Sequence, residues 1–144
     1  MLSMTFRVLV ALAICMFFCG CSPGSIHEFK WEGQSVCREI ISDLQQVHSR
    51  DDLARLEPIL KKKFEKLVSI IIEAREFQIK NLEEPLSHDL LVENEISDKL
   101  FAELRRVYSI EGGRDIIERA QREAMLRLDG FEKIRAKQKQ SRVK

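Results

Sequence analysis

Val36, Ile40, Leu44 and Val47 recur at steps of four, four and three, and Cys37 and Ile41 widen the same stripe. An α-helix turns once in about 3.6 residues, so this spacing predicts an amphipathic helix from Gln34 to His48 with one apolar face. Ser49-x-x-Asp52 follows. Its hydroxyl can accept from the third helical N–H while the carboxylate favours the positive end of a helix, so a second helix should start there. Leu53, Leu56, Leu60, Phe64, Leu67 and Ile71 carry its rhythm on to Ile79. Pro58 interrupts it. The residue before a proline avoids the α region, so the chain either breaks at Glu57, with Pro58 opening a longer piece, or forms one kinked helix from Ser49 to Asn81.

Asn81-Leu82-Glu83-Glu84-Pro85 is the next interruption, and Ser87 offers a cap for a third helix. Leu90, Leu91 and Ile96 lead into its apolar face, which Leu100, Leu104, Val107 and Tyr108 carry. Gly112-Gly113 permits a tight reversal. A fourth helix then shows Ile117, Ala120, Ala124, Leu128 and Phe131 on one side, with small alanines that let a neighbour come close. Asp129-Gly130 either ends it or only weakens it, since an interior glycine costs about 1 kcal/mol relative to alanine. Ile70-Ile71-Ile72 is β-branched, but the helical pattern around it is far longer. No stretch of period two is long enough to force a strand. The expected fold is all-α, a small bundle of about four helices.

The first residues follow another rule. Arg7 is the only charge before an apolar run from Val8 to Phe18, about eleven residues, which suits a signal segment and falls short of the ~20 that span a bilayer. The run ends in Phe18-Cys19-Gly20-Cys21. A small residue directly before a cysteine at that polar edge resembles the processing site of bacterial lipoprotein precursors. Phe18 and Cys19 stand where that family usually has leucine and a small residue. Other readings of the segment are a retained signal anchor and ordinary secretory cleavage. The resemblance implies removal of residues 1–20, acylation of Cys21 and attachment to a membrane face, since several acyl chains hold far more firmly than one. Ser22, a non-acidic residue after the cysteine, resembles the signal for outer-membrane delivery in Gram-negative envelopes.

This divides the chain into a signal peptide (1–20), a lipidated cysteine and tether (21–33) and a helical domain with a basic tail (34–144). Ser22-Pro23-Gly24-Ser25 is the flexible part of the tether. Phe29 and Trp31 lie just beyond it, either at the membrane interface or capping the end of the bundle. Lipidation and removal of the signal would leave Cys37 as the sole thiol, so no intramolecular disulfide could form. Its place beside the Val36 stripe favours burial as a small hydrophobe over pairing with another chain.

The chain carries 24 basic and 23 acidic residues, so its net charge implies no polyanionic partner. The charge is unevenly placed. Glu73, Glu76, Glu83, Glu84, Asp89, Glu93, Glu95 and Asp98 are set against only Arg75 and Lys80, whereas basic residues dominate from Arg127 onward, and the two blocks could complement each other within a fold or between copies. Lys61, Lys62 and Lys63, with Lys66, form one basic spot. Arg135, Lys137 and Lys139, continuing to Arg142 and Lys144, form a basic end. Each is either a solvated face or a contact for anionic envelope polymers or phospholipid head groups. Nucleic acid is not an expected partner outside the cytoplasm.

Candidate chemistry is thin. His27, His48 and His88 fall in separate segments with no paired cysteines, so no metal site is expected, and no cofactor. Asp51-Asp52, Glu83-Glu84 and Glu93-x-Glu95 suit helix ends or solvent more than acid–base work. There is no GxSxG, no phosphate-binding glycine loop and no repeat. The expected class is a non-catalytic interaction or assembly module, anchored by lipid and docking on an envelope protein. A structural lipoprotein gripping cell-wall polymer through its basic tail is the alternative. An envelope enzyme would need a polar cleft that the sequence does not advertise.

Overall fold

A computed structural model describes residues 25–81 and 94–141. Four helices account for nearly all of them: α1 (Ile26–Gln45), α2 (Arg50–Lys80), α3 (Asn94–Tyr108) and α4 (Gly113–Ser141). The protein is an all-α bundle, as the periodicities require.

α1 starts eight residues before the predicted position, so 26–33 is helix and not tether. Ser25 caps it, its Oγ accepting from the Glu28 N–H at 3.3 Å. Phe29 belongs to the same buried stripe as Val36 and Ile40, but Gly33 occupies the intervening position and hides the stripe's continuation in the sequence. Phe29 packs in the core, its ring 5.7 Å from that of Phe77. Trp31 points away and is 65% exposed.

α2 opens on the expected box: Ser49 Oγ accepts from the Asp52 N–H at 3.2 Å, and an Asp52 carboxylate oxygen accepts from the Ser49 N–H at 3.0 Å. The helix then runs unbroken through Pro58, so of the two open readings the single helix is the one that forms. Proline removes one backbone donor and crowds the carbonyl four residues earlier. Here both Pro58 and Ala54 face solvent, so water can serve the freed carbonyl. Leu53 and Leu60, both fully buried, hold the helix on either side.

Ser87, Leu90 and Leu91 lie outside the described residues. Leu104 and Val107 anchor α3, while Tyr108 is partly exposed. The reversal into α4 uses both glycines. Gly112 sits at φ +70°, and a Cβ on Gly113 would fall within 2.2 Å of the Val107 carbonyl oxygen. α4 continues through Gly130, because Leu128 and Phe131 pack against the core on both sides of it.

The helices alternate in direction, yet the closest pair is the parallel one, α2 with α4. Ala120 and Ala124 are buried at that contact and allow the close approach. Ion pairs run along its edge: Arg119 holds Glu57 with two hydrogen bonds (3.0 and 2.8 Å), Lys61 meets Glu123 at 2.8 Å, and Arg75 pairs with Glu132. The last pair reverses the polarity of the two charge blocks, drawing its cation from the acidic stretch and its anion from the basic end. α1 packs antiparallel on the other side of α2, with Lys63 bound to Asp43 at 2.6 Å and Lys66 near Glu32 at 3.4 Å. α3 rests on α1, and the Arg106 guanidinium donates to the carbonyls of Leu44 and Val47 near the end of α1. α3 and α4 touch little, which leaves the bundle open between them.

Candidate functional site

That opening is a groove of about 650 Å³, floored by Phe64, Leu67, Val68 and Ile71 of α2. Leu100, Phe101, Leu104, Arg105 and Tyr108 form its α3 wall, and Gln121, Ala124, Met125 and Leu128 form the α4 wall. Apart from Arg105 and Gln121 the lining is apolar. Phe101 and Met125 are 64% and 49% exposed, so the groove presents a continuous apolar surface to solvent and is not a closed core. The cause is geometric. α3 leans on α1 and is clamped there by Arg106, so it stands apart from α4 and leaves the face of α2 between them bare. Leu67 and Ile71 also line a second groove of about 400 Å³ between α1, α2 and the start of α3. Cys37 lies in that smaller groove, half-buried where full burial was expected; burial pushes its thiol pKa up, with the Arg38 charge acting weakly the other way.

Neither groove brings together the residues of a catalytic or metal site. His27 is exposed at the start of α1 and His48 in the connection between α1 and α2, and among the described residues no cluster of histidine, cysteine and carboxylate side chains could hold a metal ion. Among them, too, no helix is long and apolar enough to cross a membrane.

The two basic spots predicted as anionic contacts remain apart. Lys61 is level with Glu123 on α4, so Arg135 lies some 12 residues, or about 18 Å, further along the bundle. Three lysines of the first spot are engaged by neighbouring helices. For Lys63, burial acts to lower the pKa, but the hydrogen bond and charge of Asp43, then of Glu39, outweigh it and raise the value. The hydrogen bond to Glu123 likewise raises Lys61, and the hydrogen bond from Arg119 holds the Glu57 carboxyl below its usual range. Lys62 is exposed and carries no ion pair to another described residue. Arg135 stacks on Phe131, 5.7 Å from the ring centre, while Lys137 and Lys139 lie exposed on the last turns of α4. Cys21 lies outside the described residues.

The sequence stripes include much of the lining, among it Phe64, Leu67, Ile71, Leu100, Leu104, Tyr108, Ala124 and Leu128, but not its exposed Phe101 and Met125. Phe101 is one step off the Leu100–Leu104–Val107 stripe, and Met125 follows buried Ala124. Their signal is a second apolar position on the outer side of each stripe, visible only once α3 and α4 are seen to stand apart. No family model matches the chain, and no curated protein or solved structure is detectably similar to it.

Proposed function

We propose that this chain is a lipid-anchored envelope protein acting as a non-catalytic interaction module, held to its membrane through Cys21 and docking through the groove between α3 and α4. The groove carries the second half of that reading, because Phe101, Tyr108 and Met125, unlike the exposed apolar side chains elsewhere such as Trp31 and Ile134, line one groove together and form an apolar surface suited to a protein partner. The first half rests on Gly20-Cys21 at the end of the Val8–Phe18 run, with Ser22 favouring the outer membrane. α1 begins at Ile26, so the bundle would sit close to the membrane that holds Cys21.

Two measurements test it. An alkyne fatty acid should label the wild type and not Cys21→Ser; label persisting in that variant overturns the anchor. After crosslinking in cells, affinity capture of the full chain should recover a protein partner that Phe101→Ser and Met125→Ser lose while circular dichroism stays helical. Undiminished capture by both variants overturns the docking face. The exposed cations Lys137 and Lys139 favour a second reading, a structural protein gripping anionic cell-wall polymer. It requires salt-sensitive pull-down with peptidoglycan that is lost on deleting Arg135 to Lys144.

A further inference from the structure

Four exposed charged side chains flank Phe101 and Met125 at helical-neighbour positions, Asp98 and Arg105 on α3 and Arg122 and Asp129 on α4, of which Arg105 lines the large groove; none has an ion pair or hydrogen bond to another described residue. Their spacing is the same on the two walls. On α3, Asp98 lies three residues before Phe101 and Arg105 four residues after it; on α4, Arg122 lies three before Met125 and Asp129 four after. Three and four residues are the helical neighbours of a position, so on each wall two opposite charges bracket one exposed apolar side chain, about 10 Å apart. The order of signs is reversed between the two sequences. Because α3 and α4 run in opposite directions, the reversal cancels in space, and both arginines lie toward the Gly112 turn while both aspartates lie toward the other end.

We infer that the groove takes a second copy of this chain, in a two-fold dimer whose axis crosses the groove at Phe101 and Met125. This deepens the docking reading above and rests on it. A two-fold axis lying across the groove sets α3 against α3 and α4 against α4, each pair antiparallel. Arg105 of each copy then meets Asp98 of the other, Arg122 meets Asp129, and Phe101 packs on Phe101 at the centre. The other face-to-face arrangement, with the axis along the groove, places α3 against α4 and brings Arg105 against Arg122 and Asp98 against Asp129. Like-charge contacts of that kind are strongly disfavoured, so the rim selects one of the two geometries. The apolar centre inside a polar rim is the usual anatomy of a specific interface. Neighbouring rim charges do not disturb the pattern, because Glu95 is held by Lys99 at 2.6 Å and Glu118 by Arg114 at 2.7 Å within their own helices.

A photocrosslinking amino acid in place of Phe101 in the full chain, expressed in its own envelope, reads the contact directly. A crosslinked homodimer is expected, and the same probe at Lys62, on α2, should give none. Asp98→Arg alone and Arg105→Asp alone, each combined with the probe, should cut the homodimer yield by at least about tenfold, since each sets like charges against one another in both halves of the interface. The double variant Asp98→Arg/Arg105→Asp should restore it, because both copies are swapped together and the pairs become complementary again. A misfolded variant would not be rescued by a second charge change, so restoration separates interface from stability. Loss in the single variants without restoration in the double one overturns the proposed geometry. Crosslinks to a different protein with no homodimer overturn self-association and leave the docking groove standing, whereas no protein crosslink at residue 101 overturns both.

Discussion

Arg106 should be the most costly exposed side chain to remove. Its guanidinium reaches from α3 to α1, donating to the Val47 carbonyl at 2.7 Å and the Leu44 carbonyl at 2.5 Å, while Nε donates to Glu103 at 2.8 Å. Those carbonyls lie at the end of α1, where the dipole favours a cation; the Leu44 carbonyl also accepts from the Val47 N–H at 3.0 Å, so Arg106 fills its remaining acceptor capacity. Two hydrogen bonds from a charged donor are worth about 1.5–3 kcal/mol each when fully protected. The Arg106 side chain is 40% exposed, so water screens and partly replaces them, and a total of about 2 kcal/mol is expected for Arg106→Ala. For a domain of this size that lowers the melting temperature by roughly 6–12 °C. Arg106→Lys should recover part of the loss, since an ammonium cannot span both carbonyls with the geometry of a planar fork. Guanidinium denaturation of the chain from Ser25 onward measures both, with exposed Lys62→Ala as the reference. If Arg106→Ala falls within about 0.5 kcal/mol of Lys62→Ala, the clasp contributes nothing and α3 is held on α1 by packing alone.

Three further outcomes follow from the helices. Pro58→Ala should raise stability by about 1–3 kcal/mol, because the helix already runs through the site and an interior proline is the poorest helix former; an unchanged or lowered denaturation midpoint would show that Pro58 is strain-free where it stands. The two glycines of α4's course should respond with opposite signs. Gly112→Ala, at φ +70° and with Arg50 Nε 3.2 Å from the new methyl, should cost about 1–2 kcal/mol, whereas Gly130→Ala, with nothing within 4 Å, should add about 1 kcal/mol, and equal thermal shifts would refute both assignments. Asp52 titrates below the usual carboxylate range, chiefly through the hydrogen bond from Ser49 and then from the His48 N–H. A depressed folded-state pKa means stability that is present above the ordinary carboxylate value and lost as pH falls through the folded one. Asp52→Asn should therefore lose less thermal stability than wild type between pH 5 and about 3, and parallel melting curves for the two proteins would show the box to be electrostatically silent.

The buried half of each helix was legible because its signal is local. Val36, Ile40 and Leu44 in α1, Leu53, Leu60 and Phe64 in α2, and Ile117, Ala120 and Ala124 in α4 repeat every turn, and all are buried. The Ser49 box and the Gly112-Gly113 reversal also act within a few residues, and both appear as expected. Reading stopped short where a local rule met a tertiary force. Pro58 leaves a break and one helix both open, and the flanking burial of Leu53 and Leu60 outweighs one lost backbone bond and decides for the helix. Gly33 hides the link between Phe29 and Val36, so the start of α1 was missed. The groove was least legible, since it depends on how far α3 and α4 stand apart, and no residue on either helix records that distance. The lysines near Lys61 illustrate the same limit from the other side: a basic run looks alike whether its partners are other molecules or Asp43, Glu32 and Glu123.

The parallel contact between α2 and α4 also orders the birth of the structure. The α1–α2 hairpin closes through a short connection, but the α2–α4 pairs join residues far apart in the chain, such as Glu57 with Arg119, 62 positions on. Long loops close late, so α1 and α2 should associate first, with one flank of α2 uncovered until the final third of the chain arrives. In the folded protein the least-held helix is α3, which buries only Leu104 and Val107 and touches α4 little, so its amides should exchange with solvent sooner than those of α1 and the middle of α2. A protein built this way keeps a stable half and a lending half, and the groove lies on the seam of the half that opens first.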